Sequence, residues 1–208
     1  MQHLKNYFAF LEKFRNENKI LKTQPDANRA VFIGDSIIAG WNEHELFTKN
    51  KNFINRGING QTSTQILIRF TADVLDLKPK CIVVLVGTND IAENNGPVTL
   101  EKIQHNFLTM TELAKARKCS LILCSILPVG HYYWNKKIVP MPKIKVLNEF
   151  LTSLADNKTV FFLDLFVALE KDNQLNPHFT TDGVHPNVAG YDIMSKLLLQ
   201  SHQELLNL

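Results

Sequence analysis

Only three cysteines occur in 208 residues, Cys81, Cys119 and Cys124, an odd number with no C-x-x-C spacing. That leaves no disulfide framework to read and suits a reducing compartment. Two of the three lie in or beside β-branched apolar runs, "CIVVLV" and "LILCSIL", where cysteine behaves as a small buried hydrophobe. Charge of one sign is also scarce. With 23 basic and 20 acidic residues the formal net charge is +3, and no Lys/Arg block is dense enough for a nucleic-acid footprint. Nucleic acid is therefore not an expected partner. No apolar run is long enough to span a bilayer. The first twenty residues interrupt their apolar positions with Lys5, Glu12, Lys13 and Arg15, so the h-region of a signal peptide is missing and a cytoplasmic location is expected. Internal repeats, low-complexity tracts and Gly/Ser linkers are absent as well, which predicts one domain over residues 1–208.

What is present has the balance of a globular protein, 45% hydrophobic and 21% charged, in a chain long enough to bury a sizeable core. Leu4, Phe8 and Leu11, joined by Tyr7 and Phe14, recur at helical spacing, so residues 3 to about 17 read as an amphipathic helix within an N-terminal packing segment, 1–20. Five short apolar runs follow, at 30–33, 52–55, 81–86, 120–126 and 159–165. They do not alternate apolar with polar, the pattern of strands covered on both faces of a parallel sheet. Between them lie segments of helical period: Ile66, Phe70, Val74 and Leu77; then Ile103, Phe107, Met110 and Ala114; then Ile144, Leu147, Phe150 and Leu154; and a last helix is expected to follow, "VHPNVAGYDIMSKLLLQ". The alternation predicts an α/β fold, a three-layer sandwich around a five-stranded, mostly parallel sheet. The longest irregular stretch is expected at 127–142, rich in aromatics and proline.

In such sheets ligands bind beyond the carboxyl ends of the strands. The unusual polar clusters fall there: "GDS" after the first strand, "NRGINGQT" after the second, "GTND" after the third and "TTDGVHP" beyond the last. Alone, "GDS" is ordinary turn chemistry, since Gly34 permits a positive φ and Asp35 or Ser36 can cap a helix. A nucleophilic Ser36 needs a base, and His185 has a suitable imidazole, with Asp182 three residues earlier in reach of its other ring nitrogen. Gly60 and Asn89 could supply oxyanion donors beside the Ser36 N–H, where the plain alternatives are a turn glycine and a turn asparagine. Asp35 and Asp90 are expected to brace their loops by accepting backbone N–H bonds. His178, Asp182 and His185 form no convincing metal motif, and no metal or organic cofactor is expected. His131, Tyr132, Tyr133 and Trp134 are candidates for the wall of an acyl or sugar subsite, the alternative being a loop packed on the domain, and Trp41 is expected in the core.

The four clusters, in order across about residues 30 to 190, resemble the motif blocks of the SGNH hydrolases, also called the GDSL esterase/lipase family. "NRGING" and "VGTND" look closest to the branch of platelet-activating-factor acetylhydrolase-like proteins and carbohydrate acetylesterases. Ile37 replaces the commoner leucine of the first block, and Ile38 departs from a G-x-S-x-G elbow. The resemblance implies a flavodoxin-like α/β/α hydrolase with Ser36 as nucleophile, His185 as base, Asp182 as its support, and Ser36, Gly60 and Asn89 as the oxyanion hole. It implies a small-molecule ester as substrate and an acyl-enzyme pathway, with short acyl esters of a sugar or other small alcohol foremost. A lysophospholipase or thioesterase would carry the same residues, and a non-catalytic binding module would not need all five. The oligomeric state is not legible in the sequence.

Overall fold

The computed structural model describes residues 9–206. Leu4, Tyr7 and Phe8 of the expected N-terminal helix lie outside these residues. The rest of that segment departs from the expectation: a 3₁₀ turn at Ala9–Glu12 precedes a helix, α1, at Arg15–Thr23. Leu11 is exposed, and the residue that α1 buries is polar, Asn18. The reason is a charged partner beneath it. Asn18 donates to Asp73 Oδ1 at 2.7 Å and accepts from Arg56 Nε and Nη2 at 3.1 and 2.8 Å, while the Phe14 ring covers the Arg56 guanidinium at 4.5 Å. Burial lowers the Arg56 pKa, and the Glu17 carboxylate beside it pulls the other way.

From there the chain runs β1 (Ala30–Gly34), α2 (Ser36–Trp41), α3 (Glu45–Lys49), β2 (Phe53–Gly57), α4 (Ser63–Asp73), β3 (Cys81–Leu85), α5 (Thr88–Ile91), α6 (Leu100–Ala116) and β4 (Ser120–Cys124). It continues through α7 (Pro140–Leu154), β5 (Val160–Leu163), α8 (Phe166–Leu169), a two-residue hairpin pair β6 (Glu170–Lys171) and β7 (Gln174–Leu175), and α9 (Val188–Leu206). Strands β1 to β5 form one sheet in the order β2-β1-β3-β4-β5, and every pairing is parallel. This is the three-layer α/β/α fold expected. Alternate residues of each strand feed opposite layers. Val31, Ile33, Ile82, Val84, Leu121 and Leu123 pack under α4, α6 and α7, while Phe32, Val83, Leu85, Ile122 and Cys124 pack under α2, α3 and α9.

Local differences from the expected elements have local causes. The helix expected through Leu77 stops at Asp73, and Leu75–Leu77 tighten into a 3₁₀ turn closed by Lys78 at φ +52, just ahead of Pro79, which could not continue a helix. The irregular stretch ends at Val139 rather than 142, since Pro140 starts α7 at the first helical position, where a missing N–H costs nothing. The short hairpin was not anticipated; its turn residues Asp172 and Asn173 both hold positive φ, the geometry of a type I′ turn. Trp41 is fully buried, with its ring edge-on to Phe32 and its Nε1 donating to Ser195 Oγ at 2.9 Å.

The order of the strands locates the crevice. The chain leaves β1 to one side to form β2 and crosses to the other side to form β3, so the loops after β1 and β3 diverge at their carboxyl ends. Ser36 follows the first of these strands and Asn89 the other.

Candidate active site

Ser36 is the first residue of α2, and the turn that presents it is tight because backbones crowd there. The sequence suggested a positive φ at Gly34; the structure gives a different reason for glycine. A Cβ at Gly34 would lie 2.1 Å from the Leu85 carbonyl oxygen and 2.4 Å from Ile38 Cγ1, so β3 and α2 approach too closely for any side chain. Asp35 then caps α2, its Oδ1 accepting from Ile37 N at 2.9 Å. Its Oδ2 is buried without a partner. Burial accordingly raises the Asp35 pKa to about 7; the Ile37 N–H and the nearby His185 offset part of this, and the Asp90 carboxylate adds to it.

Ser36 Oγ lies 2.9 Å from His185 Nε2, across 149 residues of chain. On the far side of the ring His185 Nδ1 lies 2.7 Å from Asp182 Oδ2. A carboxylate only accepts, so Nδ1 carries the imidazole proton and Nε2 is left to accept from the serine hydroxyl. Asp182 is itself held: its Oδ1 accepts from Val184 N at 2.9 Å and His185 N at 2.8 Å. Thr180 Oγ1 accepts from Gly183 N at 3.0 Å and donates to His185 O at 2.7 Å, and Gly183 turns the loop at φ +79. Partial burial works to raise the Asp182 pKa, but the backbone N–H groups of His185 and Val184 and the His185 ring outweigh it and lower the value to about 2.

Gly60 stands at φ +77 with open space where a Cβ would be. Asn89 is buried in α5, with Nδ2 donating to Gln61 O at 3.1 Å and Oδ1 accepting from Asn94 Nδ2 at 2.6 Å. Asp90 braces the opposite loop, taking Ser63 N at 2.8 Å and Ser63 Oγ at 2.6 Å; burial raises its pKa to about 6 and those two bonds hold the rise down. Arg69 ties the two loops from below, reaching Gln61 Oε1 at 2.7 Å, Gly34 O at 3.2 Å and Arg56 O at 2.6 Å.

Ser36, Gly60, Asn89 and His185 line one pocket of about 520 Å³, together with Asn59, Thr88, Asn94, Tyr133, Trp134 and Val184. Of the four aromatic-loop residues singled out in the sequence, Tyr133 and Trp134 stand on its wall. Tyr132 does not: it is fully buried, with its hydroxyl 2.9 Å from Thr88 Oγ1, and burial raises its pKa. His131 is exposed and is not one of the lining residues. Asn59 and Asn94 were missed, because in "NRGING" and "AENNGP" they look like turn residues. The one available signal was the position of Asn94 five residues after Asn89. Among the described residues, no group of three or more His, Cys, Asp or Glu side chains is placed to hold a metal ion, and no helix is long and apolar enough to cross a membrane.

Residues 32–193 match the model of the GDSL-like lipase/acylhydrolase family. The chain belongs to this family and is an ester hydrolase. A GDSL-like lipase of Bacteroides thetaiotaomicron is similar over 95% of this chain and 98% of its own, at 37% identity and a TM-score of 0.88. The platelet-activating factor acetylhydrolase IB subunit alpha2 of Rattus norvegicus is 28% identical over 88% of this chain and 78% of its own length. A lipoprotein of Bacillus subtilis is 34% identical over a shorter match, 38% of this chain, which spans only 34% of that protein.

Proposed function

We propose that the protein hydrolyses carboxylic esters with short acyl groups, acetyl esters of a sugar or other small alcohol foremost, through an acyl-enzyme on Ser36. The observation that carries this reading is the hydrogen-bonded run from Ser36 Oγ through His185 to Asp182, opening on a pocket that Gly60 and Asn89 also line. In the proposed cycle His185 Nε2 takes the Ser36 proton as Oγ attacks the ester carbonyl, and the N–H groups of Ser36 and Gly60 and the Asn89 amide stabilise the oxyanion. The imidazolium, supported by ionised Asp182, returns the proton to the leaving alcohol; water activated by the same ring then releases the acid. No step calls on a metal or cofactor.

The short-acyl reading draws support from the pocket wall, where the side-chain amides of Asn59, Asn89 and Asn94 stand beside Val184, Tyr133 and Trp134. Amides beside an aromatic face suit a hydroxylated alcohol better than an alkyl chain. The relationship to a protein named as an acetylhydrolase points the same way. The test is a panel of p-nitrophenyl esters from acetate to palmitate, with Ser36→Ala as control and a fluorophosphonate probe for the nucleophile. Ser36-dependent turnover falling with chain length is expected. Turnover rising toward long acyl chains would favour the lysophospholipase or thioesterase reading, and neither hydrolysis nor labelling would leave a binding module.

A further inference from the structure

An oxyanion donor built from a side-chain amide has a difficulty that a backbone N–H lacks. A half-turn of the amide exchanges its NH₂ for its oxygen and replaces attraction with repulsion. The environment of Asn89 removes that freedom. Trp134 Nε1 donates to Asn94 Oδ1 at 2.8 Å, Asn94 Nδ2 donates to Asn89 Oδ1 at 2.6 Å, and Asn89 Nδ2 donates to the Gln61 carbonyl at 3.1 Å. The two ends of this run have fixed polarity, since an indole only donates and a carbonyl only accepts. With the indole facing the Asn94 oxygen, the Asn94 NH₂ must face the Asn89 oxygen. The Asn89 NH₂ then faces Gln61, with its second N–H left over. Reversing the Asn89 amide would set oxygen against the Gln61 carbonyl and NH₂ against NH₂ at Asn94. Asn94 is also fixed at its backbone, where its N–H donates to Asn89 O at 3.1 Å, and Asn135 Nδ2 holds the same loop through Ala92 O at 3.0 Å.

We propose that Asn94 and Trp134 are positioning residues for the Asn89 amide: the indole N–H sets the direction of an amide relay that keeps the Asn89 NH₂ in donor orientation. The inference rests on the proposed role of Asn89 in the oxyanion hole. It also gives the aromatic wall a second task, because Trp134 lines the pocket and terminates the relay.

The test is a double-mutant cycle with p-nitrophenyl acetate. Asn94→Ala should lower kcat by about tenfold, and Trp134→Phe, which keeps an aromatic ring and removes the N–H, by about fivefold, as expected for loss of one or two hydrogen bonds that act through Asn89. Asn94→Asp keeps the acceptor for Trp134 but sets a carboxylate oxygen against Asn89 Oδ1, so it should cost more than Asn94→Ala. In an Asn89→Ala background both Asn94→Ala and Trp134→Phe should lose their effect on kcat, whereas a loss of general packing or of substrate contact would persist there. Undiminished effects in that background, or an unchanged kcat in the single variants, would overturn the relay. An unchanged kcat in Asn89→Ala itself would instead remove Asn89 from the oxyanion hole, and the relay with it. Thermal melts of each variant, and fluorophosphonate labelling of Ser36, separate unfolding from mispositioning: a variant that melts like the parent and still reacts with the probe while losing kcat supports the relay.

Discussion

Among the described residues stand two runs of serine, histidine and aspartate, and they differ in what surrounds them. In one, Ser36 Oγ is 2.9 Å from His185 Nε2 and His185 Nδ1 is 2.7 Å from Asp182. In the other, Ser195 Oγ is 3.1 Å from His44 Nδ1 and His44 Nε2 is 2.9 Å from Asp192. Distances alone barely separate them. Ser195, however, lies inside α9 with 5% of its surface exposed, and its oxygen already accepts the Trp41 indole. His44 Nδ1 also takes the Leu46 N–H as the cap of α3, so its lone pair is shared before any serine proton arrives. Ser36 begins a helix at the edge of a pocket, its histidine nitrogen is directed at it alone among the described hydrogen bonds, and Gly60 and Asn89 stand beside it. A hydroxyl, an imidazole and a carboxylate in sequence make a structural tie; space for a carbonyl and donors for its oxygen are what a nucleophile adds.

The comparison can be broken most decisively at the serines. Ser36→Ala or His185→Ala should reduce kcat on a good ester by about six orders of magnitude, the scale seen where a triad acts as a unit. Ser195→Ala should leave kcat unchanged and instead strand the buried Trp41 N–H, at about 1–3 kcal/mol of stability, seen as a lower melting temperature. Activity lost in Ser195→Ala without unfolding would reverse the assignment of the two runs.

A smaller contrast is expected at the aspartates. Asp182→Asn should lower kcat by about 10² to 10⁴-fold, because an amide would favour the wrong imidazole tautomer. Asp192 is mostly exposed and lines no part of the Ser36 pocket, and Asp192→Asn should stay within about twofold of the parent, the scale of one solvated hydrogen bond. A kcat for Asp182→Asn within about twofold of the parent, measured on the same ester, would show that Asp182 does not orient a working base.

The smallest effect concerns the buried acids behind the Ser36 run. Asp35 and Asp90 titrate at about 7 and about 6 in the folded chain, well above an unfolded aspartate near 3.9. The folded state then binds more protons than the unfolded one between about pH 4 and 7, so stability falls as pH rises through that window. Asp182, lowered to about 2, is ionised in both states above about pH 5 and adds little to the slope from there up. His202, whose pKa burial lowers, works in the opposite direction. The informative quantity is therefore the difference between parent and Asp35→Asn. Melting temperature measured from pH 5 to 8 should drop less in Asp35→Asn, and parallel curves would remove Asp35 from the linkage.

Much of this architecture was legible because it is written locally. Continuous β-branched runs such as "CIVVLV" mark strands buried on both faces, and the 3.6-residue recurrence of Ile103, Phe107, Met110 and Ala114 marks the covered stripe of α6. The bracing role of Asp35 followed from the same local chemistry, whereas Asp90 braces the loop of Ser63, 27 residues away, and neither the unpartnered Asp35 Oδ2 nor the approach of Leu85 to Gly34 was legible. Adjacent residues of the aromatic loop looked alike and part company in space, Tyr132 into the core and Tyr133 and Trp134 onto the pocket wall.

By itself, then, the sequence determined the alternation of strands and helices, the parallel sheet, and the gathering of four polar clusters beyond its strand ends, because periodicity and turn chemistry act between near neighbours. Only the tertiary structure decided which serine meets a histidine beside open space, which tyrosine is buried, and which way the Asn89 amide is held. Those outcomes depend on groups as far as 149 and 151 residues apart, and on exposure, which exists only once the layers have packed.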